Sequence, residues 1–122
     1  MSINVRIETE EDLQIVKNYV LLPVLLDMLS RDIDRLKAYA DGVIFNHLIF
    51  YLREIEGLIF TELQNLRKRL KQRGIIIISV DTKAAGIDVE YKIRGYLQKF
   101  KMLRSLVKAE LMTTMMKLRR EV

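Results

Sequence analysis

Five side chains within residues 61–73 could recognise a polar ligand: Thr61, Gln64, Asn65, Lys68 and Gln72. At 100° per residue they stand opposite Leu63, Leu66 and Leu70, and their face holds no acid, since Glu62 lies on its flank. Asn and Gln amides suit the edge of adenine, and a lysine suits the guanine acceptors of a DNA major groove. Arg67, Arg69, Lys71 and Arg73 flank the row, where phosphates would run, and Lys83 lies in a polar connection that could touch backbone or minor groove. On an ordinary soluble helix the same residues would simply face water.

Other chemistry is poorly supplied. There is no cysteine, so disulfides, thiolate nucleophiles and thiolate metal sites are excluded. His47 is the single histidine and lies in VIFNHLIF, where a core position with a local hydrogen bond is expected rather than a metal site. Glu54 and Glu56, like Asp32 and Asp34, are two residues apart and do not share a helix face. Asp27 and Arg31 have the spacing of a surface ion pair. No glycine-rich nucleotide loop occurs. The reading is therefore not an enzyme, with no cofactor and no metal.

The 122 residues, half of them hydrophobic and 30% charged, suit a single globular domain. The net charge of +5 is unevenly spread. Residues 1–63 hold six Lys/Arg against eleven Asp/Glu, whereas residues 64–122 hold fifteen against five. A basic half of this kind attracts polyanions, nucleic acid first among them. The longest apolar run, residues 19–26, is stopped by Asp27, and the N-terminus is acidic. No membrane span and no signal peptide are expected, and the location read from this is cytoplasmic.

The elements that must position these residues follow from periodicity. Ile3, Val5 and Ile7 alternate as in a short strand, and Thr9 with the acids behind it opens a helix. Pro23 is expected either to kink that helix or to open a second one. An apolar stripe, Leu25, Leu29, Ile33, Leu36 and Ala40, ends at Asp41-Gly42, where glycine would supply a left-handed cap. Residues 43–56 are apolar on most sides and should be the most buried element. Residues 61–73 form the next helix, stopping at Gly74. Residues 75–80 and the alternating Ile87, Val89, Tyr91 and Ile93 read as a β-hairpin around DTKAAG. A helix from Gly95-Tyr96 to the C-terminus completes the chain.

With a turn at Gly57, the stretch FTELQNLRKRLKQRGII at 60–76 and the exit Tyr91-Lys92-Ile93-Arg94-Gly95 resemble the winged helix-turn-helix domains of MarR and PadR transcription regulators. The resemblance covers about residues 43–95. It implies a DNA-binding regulator whose 61–73 helix enters the major groove, and dimerisation through terminal helices.

The last helix points to self-association on its own account. One stripe holds Phe100, Leu103, Val107, Leu111, Met115 and Leu118, the expected dimer interface, and a second holds Met102, Leu106, Met112 and Met116. The fold expected is mainly α with a β-hairpin. It comprises an N-terminal helical arm (1–42), a winged-helix-like core (43–95) and a C-terminal oligomerisation helix (96–122). The competing reading runs one helix straight through Gly57, because Leu48, Leu52, Ile55, Ile59, Leu63, Leu66 and Leu70 continue one seam across it. Long antiparallel helices joined by a β-hairpin would then make a helical oligomeric scaffold or adaptor, without nucleic-acid binding.

Overall fold

Thr9 starts the first helix by a reciprocal pair of bonds. Its hydroxyl accepts from the Asp12 amide at 3.1 Å, and the Asp12 carboxylate accepts from the Thr9 amide at 3.0 Å. The acids Glu10, Glu11 and Asp12 then favour the positive end of the helix dipole. In the computed structural model, which describes residues 9–39 and 41–120, this helix α1 spans Glu10–Leu36. The strand expected at residues 3–7 lies outside the described residues. α1 passes through Pro23 without a second start, giving up the bond a Pro23 amide would have donated to Tyr19. It is long and apolar enough, by length and composition, to cross a membrane, and Ile15, Val16, Leu21 and Ile33 on it are buried in the core.

A 3-10 turn at Lys37–Tyr39 leads to α2, Val43–Gln72, which is continuous for 30 residues. Gly42 is its N-cap, extended at φ −83° rather than the left-handed cap expected for the preceding helix. The helix-turn-helix expected around Gly57 does not form. Gly57 lies inside α2, and Thr61 donates its hydroxyl to the Gly57 carbonyl at 3.2 Å, as a helical residue does. The reason is energetic. A mid-helix glycine costs only about 1 kcal/mol, and Ile55, Ile59, Leu63, Leu66 and Leu70 are all buried on one seam that a break would split. α1 and α2 therefore pack as a helical hairpin.

Three antiparallel strands follow: β1 (Ile75–Lys83), β2 (Gly86–Ile93) and β3 (Tyr96–Leu103), in the order β1-β2-β3. The hairpin is as the sequence implies, with Ile75 opposite Ile93 and a bulge between Ile77 and Ser79. Gly86 comes so close to β3 that a Cβ would lie 2.0 Å from the Met102 carbonyl oxygen. Ile87, Val89, Tyr91 and Ile93 face the helices, and Tyr91 meets Phe100 edge-on at 5.8 Å between ring centres.

The long C-terminal helix starts later than expected. Residues 96–103 form a strand because Arg94 and Gly95, at φ 48° and 89°, make the two-residue turn that returns the chain antiparallel. Phe100 opposite Val89 and Met102 opposite Ile87 then extend the inner face. α3 occupies Arg104–Arg119 and packs on α1, α2 and β2. The architecture is mainly helical with a β-hairpin extended to three strands.

Gly57 faces open space, and a Cβ there meets nothing within 4 Å. Gly57→Ala should therefore stabilise the protein by about 0.5–1 kcal/mol, read as a midpoint a few degrees higher in thermal denaturation. A turn at Gly57 would give the opposite sign.

Candidate functional site

The row Thr61, Gln64, Asn65, Lys68 and Gln72 is exposed along one side of α2, as its periodicity demands. Its basic flanks behave differently from one another. Arg67, Lys68 and Lys71 are all exposed, and Arg67 donates its Nε to the Tyr19 hydroxyl over a long 3.4 Å. Arg69 and Arg73 turn toward the start of α1 instead. Arg69 reaches Glu11 at 3.2 Å, and Arg73 places one nitrogen 2.8 Å from Glu11 and another 2.8 Å from Asp12.

These contacts centre on Asp12, whose side chain is 1% exposed. Both carboxylate oxygens are engaged, Oδ1 by Arg73 and Oδ2 by Arg94 at 3.1 Å and by the Thr9 amide. Arg94 also donates to the Arg73 carbonyl at 3.0 Å, while its amide bonds the Gly74 carbonyl at 2.8 Å. The start of α1, the end of α2 and the β2–β3 turn are thus tied at one point. Burial raises the Asp12 pKa, but hydrogen bonds from Arg73, Thr9 and Arg94 outweigh it and hold the carboxyl well below its ordinary range. The same bonds, from Asp12 first and Glu11 second, raise the pKa of Arg73. This cluster is structural in character: three arginines share the two carboxylates of Glu11 and Asp12, which leaves Arg69 and Arg73 occupied rather than presented to phosphates.

Lys83 is held in the same manner at the hairpin tip. It lies 3.1 Å from Asp88 and 3.5 Å from Asp81, and the Asp88 hydrogen bond leads the causes that raise its pKa. Asp27 and Arg31 form the surface pair expected of them.

The six residues expected at a dimer interface are divided by the fold. Leu111 and Leu118 are buried in the chain's own core, with Phe100, Val107 and Met115 packed against it, and only Leu103 is largely exposed. The solvent side of α3 carries Leu106, Met112 and Met116 from the other stripe. His47, expected in or near the core, is exposed, as is most of the helical start around it. Val43 is 84% exposed, Ile44 80% and Phe50 63%, so residues 43–50 are far from the most buried part of the chain. No described element lies over that side of α2, which is why apolar composition there did not become burial.

Replacing Asp12 by Asn removes the charge that both arginines share and should destabilise the protein by about 2 kcal/mol near neutral pH. Because the folded pKa is depressed, the wild-type advantage is complete above the unfolded value of 3.8 and shrinks as pH falls below it. Chemical denaturation of both proteins at several pH values checks this; a difference that grows toward acid would be the wrong sign.

No curated protein and no solved structure matches the chain. A family model described as YhjD protein matches residues 7–122, which include every element described above, and the chain belongs to the YhjD protein family.

Proposed function

We propose that this chain is a self-associating helical scaffold or adaptor whose first partner is a second copy of itself. The observation that carries the reading is the opening of α2. Residues 43–52, VIFNHLIFYL, contain no Asp, Glu, Lys or Arg, and Val43, Ile44 and Phe50 among them are the most exposed large apolar side chains of that stretch. An uncharged apolar surface favours an uncharged apolar partner, and a two-fold related copy presents such a surface without like-charge repulsion. Fully burying Ile44 and Phe50 would contribute roughly 2 kcal/mol each. Leu106, Met112 and Met116 on α3 supply a further adaptable apolar stripe.

A second reading is DNA binding through phosphates. It is favoured by the solvent-facing Lys68 and Lys71 beside Gln64, Asn65 and Gln72 on α2. Without a helix-turn-helix, and with Arg69, Arg73 and Lys83 paired to carboxylates, that binding would be weak and governed by salt.

Sedimentation equilibrium tests the first reading. The wild type should be dimeric or larger, Ile44→Glu and Phe50→Glu monomeric, and Phe60→Glu, an exposed apolar position ten residues along from Phe50, unchanged. A monomeric wild type overturns the scaffold reading. For the second reading, duplex affinity should fall steeply with salt, and Lys68→Ala should lower the salt slope by about 1. Salt-independent or absent binding removes it.

A further inference from the structure

An elongated groove of about 560 Å³ runs between α1, α2 and β1. Its volume is in the range of small-molecule sites. Val20 and Val24 of α1, Leu63 of α2 and Val80 of β1 give it an apolar lining. Along α1 it extends from Tyr19 to Arg31, about 18 Å of helix, which suits an extended chain better than a compact ring.

The rim is polar and its charge is unbalanced. Arg31 is paired with Asp27, which leaves that end neutral. At the other end Arg67, among the described residues, has the neutral Tyr19 hydroxyl as its side-chain partner and no carboxylate. Two arginines and one aspartate line the groove, so it carries one uncompensated positive charge at one end of an apolar trough. None of residues 43–50 lines it, so it is distinct from the self-association surface.

We propose that this groove binds a monoanionic amphiphile: a carboxylate on an unbranched alkyl chain. The carboxylate sits at Arg67, whose guanidinium donates to it, with the Tyr19 hydroxyl as a second donor. The alkyl chain lies along Val20, Val24, Leu63 and Val80, exchanging hydrated apolar surface for protein contact. The charge imbalance decides between ligand classes. A cationic amphiphile would meet the same apolar walls but repulsion at Arg67, and a polyvalent anion would find no second free cation among the described residues that line the groove.

Isothermal titration of the full chain with decanoate, below its micelle concentration, tests this against decyltrimethylammonium, which has the same chain and opposite charge. Decanoate should bind saturably at one site per chain, with the cation at least tenfold weaker. Arg67→Gln should weaken decanoate about tenfold while leaving the cation unchanged or improved. Val80→Asn, at a position already partly open to solvent, should weaken both amphiphiles through the apolar wall. Circular dichroism of both variants should match the wild type. Equal affinity for the two amphiphiles, decanoate binding indifferent to Arg67→Gln, or no saturable binding overturns the proposal. The mass of the self-associated species is a separate readout, so either reading can fail alone.

Discussion

Asp12 is the one buried charge among the described residues, and burying a carboxylate is tolerable only if it is paired and hydrogen-bonded. That requirement organises one end of the molecule. The carboxylate needs donors on both oxygens, and these come from Thr9 beside it, Arg73 at the end of α2 and Arg94 in the β2–β3 turn. α2 must therefore end beside the start of α1, and the turn that sends β3 back must sit against both. The left-handed Arg94, at φ 48°, is held there by its amide bond to Gly74 and by its guanidinium bonds. Local backbone cost and tertiary pairing are thereby linked.

The other end is governed by lengths. Helices of 27 and 30 residues run for about 40–45 Å, whereas strands of eight or nine residues cover about 30 Å at most. The sheet cannot cover the whole helical hairpin, and the 16 residues of α3 take over part of the remainder. They bury Leu111 and Leu118 but leave the first two turns of α2 open. An apolar helix start without a cover is thus a consequence of element lengths as well as composition.

Much of this was legible locally. The Thr9–Asp12 cap, the apolar stripes of α1 and the paired strands β1 and β2 each follow from residue types and periods of two or about 3.6. The continuity of α2 was legible only as one of two options, because a glycine that is easy to bury in a turn is also easy to tolerate in a helix. β3 was hidden for a different reason. Leu97, Phe100, Met102 and Leu103 fit helical spacing as well as alternation, and the deciding fact is pairing with β2 across the Arg94-Gly95 turn. His47 shows the limit of composition, since apolar neighbours predict burial only where another element arrives to cover them. Similarly, nothing near Arg69 or Arg73 in the sequence announces that Glu11 and Asp12, about sixty positions earlier, will occupy them.

That last point changes the meaning of the charge asymmetry. An acidic first half and a basic second half look like a polyanion-binding surface if the halves are considered separately. In the fold, Glu11 and Asp12 meet Arg69, Arg73 and Arg94, and Asp81 and Asp88 meet Lys83 while Asp88 also approaches Lys101. The first set is compensation between the acidic and the basic half, and the second lies wholly within the basic half. What remains for recognition is set by position rather than by net charge. Arg67 has an apolar groove beneath it and a hydroxyl beside it, which favours a ligand with one anionic end. Lys68 and Lys71 lie on the open helix surface, where screening by salt limits what either can contribute. The same element thus offers one shaped site and one diffuse one: all three cations are exposed, and only Arg67 has an apolar wall beside it along which a ligand's chain can leave water.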